Sequence, residues 1–296
     1  MHEFWILATA SLVAISASMV GVFLILRRMA LLGDAISHSV LLGIVGGYLL
    51  SGSRSIAVML ISATLIGLLT AWLSNALHRL GKLQTDASIG IVFTLFFALG
   101  VILVSLFSGQ VDLDQECVLY GELAFVPFDT ITFGNLEAGP RAFWMIGLVF
   151  LINLGVLVLA YERFKLVSFH PALAISLGVN VAFWHYLLMT LVSLTTVASF
   201  EAVGAILVVA LLVIPASSAY LWAKSLKSML WIAAAYGQAS VLIGYALARW
   251  LDSSIAASIG VSSGLLLFLT LGILQIRKLK QKTYVDHSLK AEAVEL

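Results

Sequence analysis

Nine runs of roughly 20 apolar residues recur along the chain, at 4–26, 32–50, 56–77, 87–107, 142–161, 180–198, 202–223, 229–248 and 255–275. Wound as helices rising about 1.5 Å per residue, such runs match the hydrocarbon thickness of a bilayer. Lipid offers no partner to a backbone N–H or C=O, and a helix satisfies both within its own segment. The wider composition agrees: 61% of residues are hydrophobic, 10% are charged and the mean hydropathy is +1.09, against roughly a quarter charged in a soluble domain. The expectation is an all-α, polytopic membrane protein with about nine transmembrane helices. Residues 1–282 form its transmembrane domain, and 283–296 a short polar cytoplasmic tail. The first run begins at Phe4 and is too long for a signal-peptide core, with no A-x-A site after it, so it reads as a retained helix. The single cysteine, Cys117, excludes an internal disulfide and a Cys-rich zinc site, and the net charge of +1 without a basic face gives no reason to expect nucleic acid.

Basic residues orient the runs, because cytoplasmic loops are enriched in Lys and Arg. With the N-terminus outside, the inner loops hold Arg27, Arg28, Arg79, Lys82, Arg163, Lys165, Lys224 and Lys227. The tail adds Arg277, Lys278, Lys280, Lys282 and Lys290, while Arg54, Arg141 and Arg249 fall outside. Moving any one span would collapse this asymmetry. Glycine is frequent, and "GIVGGYLL", "IAAAYGQAS" and "IAASIGVSSG" read as faces where helices approach closely. The connection 108–141 opens acidic (Asp112, Asp114, Glu116), turns apolar at "VLYGELAFVPF" and ends in "EAGPR". It is expected to be a loop, a short helix or a segment dipping into the membrane.

Asp34, His38, His185 and Glu201 lie within or at the edge of these runs. A charge near the bilayer centre costs on the order of 2.5–3.5 kcal/mol on insertion scales, so each needs a partner or a wet cavity. Asp34 and His38 are four apart and share one helix face. A carboxylate oxygen and an imidazole nitrogen in that register can hold one divalent cation, as the paired ligands of a zinc helix do. The alternative is an internal hydrogen bond in which Asp34 orients His38 and nothing else binds. Two ligands do not fill a coordination shell of about four for zinc or about six for manganese. Glu201, at the outer end of its run, is a candidate contributor, or simply an acid at a helix N-terminus. His185 reads as structural and Asp86 as a helix cap. No P-loop pattern occurs, so ATP cannot be bound that way, and no G-x-S-x-G appears. The chain is not expected to be an enzyme.

"RRMALLGDAISHSVLLG" (27–43), "TDASIGIVFTLFFALGVILVS" (85–105), "SFHPALAISLGVNVAFWHYL" (168–187) and "SFEAVGAILVVALLVIPASSAYL" (199–221) together resemble the permeases of ATP-binding-cassette importers for manganese, zinc and iron, of the metal-chelate type. The family form G-D-x-x-S-H-S-V is matched by Gly33, Asp34, Ser37, His38, Ser39 and Val40. The resemblance implies a fold like that of vitamin B12 and siderophore importer permeases. It implies a second permease copy or paralogue, a cytoplasmic ATP-binding subunit and an extracytoplasmic metal-binding protein, all within a bacterial inner membrane. It also implies that Asp34 and His38 touch the transported ion. The family's cytoplasmic loop, F-D-P-x-x-A-x-x-x-G, inserts into the ATPase. Phe169, Pro171, Ala174 and Gly178 match it, Leu173 lies within it, and His170 replaces the usual Asp. No tightly bound cofactor is implied, only the transported metal. Carboxylate plus imidazole suits manganese, zinc or iron, and the wording around Glu201 resembles manganese or iron members, so manganese is expected. Two rivals use the same pair. A proton-coupled secondary transporter would need broken-helix repeats, of which none is evident. An intramembrane metalloenzyme would need a third ligand and a base, for which only Glu201 is at hand.

Overall fold

The computed structural model describes residues 2–52, 55–107, 123–133 and 136–292. In chain order these form α1 (His2–Leu26), α2 (Ala30–Ser51), α3 (Ile56–Gly81), α4 (Thr85–Phe107), a 3-10 turn (Val126–Phe128), β1 (Thr130–Phe133), β2 (Leu136–Pro140), α5 (Arg141–Leu159), α6 (Tyr161–Phe169), α7 (Pro171–Ser176), α8 (Val181–Trp222), α9 (Leu226–Leu251) and α10 (Ile255–Glu292). Among the described residues, eight helices are long and apolar enough to cross a membrane. Helix starts follow local chemistry: Ser55, Asn180 and Ser225 each accept a hydrogen bond from a backbone N–H three residues on.

Eight helices and nine apolar runs differ at one place. The runs 180–198 and 202–223 form one continuous element, α8, interrupted at Gly204, whose φ of 75° and ψ of 165° lie in a region essentially open to glycine alone. The chain reverses there. The Trp184 ring meets Phe164, which meets Phe23 of α1. Twenty-eight residues later, the Leu212 backbone lies against Gly21 of the same helix. Uninterrupted helix would set residues 184 and 212 about 42 Å apart. Thr195, between them, sits farther along α1, bridged to Ser16 through Asn153.

The core is built on α1, whose Val13, Ala14, Ala17, Val20 and Phe23 are fully buried among α8, α9 and α5. Lipid tails are as apolar as these side chains, so the helices are held by close packing and by polar pairing rather than by escape from water. Gly237 lies against Ala14, and Asn153 of α5 donates to both Ser16 of α1 (2.8 Å) and Thr195 of α8 (2.6 Å). Of the expected small-residue faces, "IAASIGVSSG" works differently. Gly260 and Gly264 face open space, and it is Ile259 that packs into the gap left by Gly244.

Arg27, Arg79, Lys227 and Arg277 gather with α6 and α7 at one end of the bundle. At the far end Arg249 pairs with Glu3, tying α9 to α1. In the connection 108–141, residues 108–122 and 134–135 lie outside the described residues. The remainder is the 3-10 turn and an antiparallel hairpin, with no membrane-dipping helix among the described residues. Helix α10 runs through the 282/283 boundary to Glu292.

Gly204→Val is expected to lower stability by about 1–3 kcal/mol, the cost of a side chain at such a backbone position. A fall in the thermal midpoint in detergent would register it. Gly155→Ala, facing open space on α5, should leave the midpoint unchanged.

Candidate metal centre

The turn between α1 and α2 is tight. Met29 N–H donates to Leu24 O (2.9 Å) and Arg28 N–H to Ile25 O (3.0 Å), with Arg28 itself left-handed at φ 57°. This is a helix-ending turn that usually employs glycine. Helix α2 starts immediately after it, and Asp34 lies in its second turn.

His38 Nε2 and Asp34 Oδ1 are 3.5 Å apart, and their side chains are 35% and 40% exposed. The opposite face of α2 is closed: Gly33, Ile36, Ser37 and Val40 are buried. Ionisable groups on the open face of a lipid-spanning helix require water or a second protein surface there. The His38 ring sits between two rings of α4, Phe93 tilted at 30° and Phe97 edge-on at 78°, each with centroids 5.7 Å away. A cation ~2.1 Å from both Nε2 and Oδ1, a usual zinc–ligand length, would subtend about 110° between them. Octahedral coordination would draw the same two atoms to ~3.0 Å, a small side-chain adjustment.

The serines of the motif do other work. Ser37 Oγ donates to Gly33 O (3.0 Å). Ser39 Oγ donates to Ile36 O (2.9 Å) and accepts from Thr70 Oγ1 of α3 (2.9 Å). Their hydroxyls are spent on seating α2, whereas Asp34 and His38 pair with each other on its open face. Gly43 lies directly on the Ala63 backbone of α3, fixing the outer half of α2 at backbone contact.

Glu201 is not brought to the pair. Among the described residues no group of three His, Cys, Asp or Glu side chains could hold a metal. Glu201 is exposed beside the Gly204 reversal, with Asp129 and Arg141 as its charged neighbours. Among the described residues, Asp34 and His38 therefore stand as a pair without a third His, Cys, Asp or Glu beside them. Asp86 falls inside the first turn of α4, rather than capping it. His185 lies at the basic end, edge-on to Tyr186, with a buried Nε2 that has no hydrogen-bond partner. A cleft of about 370 Å³ between the 123–125 turn and the α9–α10 connection shares no residue with the pair.

The segment 168–178 spans the end of α6, the helix α7 and the turn after it. Pro171 occupies the first turn of α7, where its missing N–H costs nothing. Ala174 is buried with Val167 and Val179, and Gly178 is left-handed at φ 73°. Phe169 and Leu173 are each 49% exposed, and His170 between the two helices is exposed too. Pattern residues therefore divide into those that shape the element and those that project from it.

Residues 2–274 match the ABC 3 transport family. The chain is 48% identical over 262 residues to the manganese transport system membrane protein MntD of Bacillus subtilis (strain 168), covering 88% of each chain. It is 39% identical over 257 residues to the zinc transport system membrane protein TroD of Treponema pallidum (strain Nichols), covering 87% of this chain and 70% of that one. The structure of PsaBC from Streptococcus pneumoniae in complex with Fab superposes with a TM-score of 0.76 at 31% identity, covering 91% of each chain.

Gly43→Val would force α2 away from α3 and carry the pair with it. A loss of about 1–3 kcal/mol is expected, as for an overpacked core. It should appear as a lower thermal midpoint together with weaker divalent-ion binding, read by isothermal titration of the purified assembly.

Proposed function

The chain belongs to the ABC 3 transport family, and from that premise we propose that it carries manganese across the bacterial cytoplasmic membrane, with Asp34 and His38 lining the ion's path. It is the multi-pass membrane permease subunit of an ABC metal importer, and ATP hydrolysis resides in a separate subunit. The reading rests above all on one observation: a carboxylate and an imidazole, 3.5 Å apart and half-exposed, on a helix whose other face is buried. The names borne by relatives favour manganese, MntD at 48% identity and the import permease ScaB of Streptococcus gordonii at 35% over 292 residues. A zinc importer is the second reading, favoured by the near-tetrahedral bite of the pair and by the name of TroD. Iron is the remaining alternative within the family.

Two ligands per chain call for completion by water and by a second permease, copy or paralogue, docked on the open face of α2 and α4. The projecting Phe169 and Leu173 meet the ATP-binding subunit, with Pro171, Ala174 and Gly178 shaping the element that bears them. An extracytoplasmic metal-binding protein delivers the ion at the far end. Residues 1–282 act as the permease unit, with 283–296 as its cytoplasmic extension. Protein and lipid surround the bundle, and nucleic acid has no part in it. A proton relay through the same pair, as in a secondary transporter, would need no ATPase.

Asp34→Ala and His38→Ala are each expected to cut ATP-dependent uptake of radioactive manganese by about 10–100-fold or more, the scale of losing a ligand or its support. The protein should still insert and assemble. Uptake at the wild-type rate in either variant contradicts the assignment.

Glu201 stands where an arriving cation first meets the bundle, and its charge concentrates divalent ions there. Glu201→Gln is expected to raise the half-saturating metal concentration while leaving the maximal rate and ATPase docking intact. A full uptake curve normalised to membrane protein tests this, and an unshifted half-saturation point reduces Glu201 to a helix-terminus residue.

A further inference from the structure

Arg27 and Arg28 are adjacent, basic and at the same end of the bundle, yet only Arg28 reaches solvent. The Arg27 guanidinium is half-buried. Its Nε donates to Ser168 Oγ (3.2 Å), and its Nη2 is buried without a partner. Burial pulls its pKa down to about 10. Among the described residues, the carboxylates in ion pairs are Asp34, Glu162 and Glu3, and none of them reaches Arg27. A cation that served only as a positive-inside residue would extend its long side chain to water. Holding it inside, unpaired, costs stability. Something other than orientation keeps it there.

The contact it makes is the second rung of a ladder. Phe164 of α6 is fully buried against Phe23 of α1, with ring centroids 5.3 Å apart. One turn further along both helices, Ser168 meets Arg27. Arg27, just past the end of α1, donates its N–H to Phe23 O (3.1 Å) and so lies one turn beyond Phe23, while 164 and 168 share a face of α6. The aromatic contact supplies adhesion that tolerates sliding. The hydrogen bond supplies register, because a donor and an acceptor do not survive a shift along the axis. Beyond Arg27 there is little slack. The turn closes through Arg28 N–H to Ile25 O and Met29 N–H to Leu24 O, Leu32 N–H returns to Met29 O (3.0 Å), and Asp34 follows within the next turn.

We propose that Arg27 is a positioning residue that transmits movement of the α6–α7 element to the helix bearing Asp34 and His38, through its hydrogen bond to Ser168. The proposal rests on the reading of that pair as the ion site and of α6–α7 as the ATPase contact. His185 completes the device. Its Nε2 is buried and without a partner, and it lies in the field of Arg27. A neutral imidazole nitrogen is a hydrogen-bond acceptor, and Arg27 Nη2 is an idle donor. Were α6 to withdraw, this nitrogen on α8 is the acceptor to which the guanidinium would turn. A mechanical relay between sites requires two such arrangements, and the Ser168 bond is the one this structure holds.

The test uses the complete transporter, permeases with the ATP-binding subunit and the metal-binding protein, reconstituted in vesicles. Manganese uptake and ATP hydrolysis are measured together. In Arg27→Gln, ATPase docking and hydrolysis are expected to persist while metal moved per ATP falls about tenfold, within the usual range of coupling between sites. Ser168→Ala should lower the same ratio, and Arg27→Gln with Ser168→Ala should be no worse than Arg27→Gln alone, since both remove one interaction. An unchanged ratio in either single variant, or additive losses in the pair, overturns the proposal. If Arg27→Gln does not accumulate in the membrane, Ser168→Ala decides alone by the same ratio. Asp34→Ala runs in parallel: normal transport there would instead refute the ion-site reading, independently of Arg27.

Discussion

A carboxylate and an imidazole on a lipid-crossing helix are tolerable only if the rest of the molecule supplies what the hydrocarbon withholds. That constraint governs how α2 is held against its neighbours. One face of the helix is seated by Ile36 and Val40, by the Ser39–Thr70 hydrogen bond and by the contact of Gly43 on Ala63. The other face carries Asp34 and His38 and is left half-open. Because no hydrophobic force separates helix from lipid, small residues and hydroxyls do the fastening, and Asp34 and His38 are left out of it. The rings of Phe93 and Phe97 confine His38 without competing for its nitrogens.

The two ends of the bundle divide the labour. At the far end the reversal at Gly204 sets Glu201 beside Asp129 and Arg141, a charged rim where an ion would arrive. At the basic end α6 and α7 project Phe169 and Leu173 and keep Phe164 locked between Phe23 and Trp184. The pair lies on the helix that connects these ends, one short turn from the basic one. Under the proposed docking at α6–α7, few residues would separate the energy source from α2. The permease role of the family and the absence of a P-loop pattern in the sequence point to the same division, with hydrolysis placed in another subunit.

Much of this was legible from spacing alone. The apolar runs anticipated the helices, the four-residue interval put Asp34 and His38 on one face, and four of the basic residues assigned to one side, Arg27, Arg79, Lys227 and Arg277, lie at one end. What escaped the sequence has a physical reason in each case. Whether two runs make one element or two depends on a single backbone torsion at Gly204, which composition does not encode. The fastenings Asn153–Ser16, Asn153–Thr195 and Thr70–Ser39 join residues 137, 42 and 31 apart, and nothing in a local window pairs them. Ser37 and Ser39 match the family form without a role assigned to them, and their hydroxyls are spent on the helix backbone and on α3. Glu201 was grouped with the pair by charge type, whereas the fold keeps it at the rim. Phe93 and Phe97 gave no signal at all, since an aromatic in an apolar run is unremarkable until α4 is docked on α2.

The central claim is that His38 is a direct ligand of the transported ion. Pulsed electron paramagnetic resonance of manganese bound to the purified transporter reports nitrogen nuclei coordinated to the metal. The account predicts an imidazole nitrogen coupling in the wild-type protein that is lost in His38→Ala under conditions where manganese is still present. An all-oxygen spectrum in the wild type, or a nitrogen coupling that survives the substitution, would contradict it.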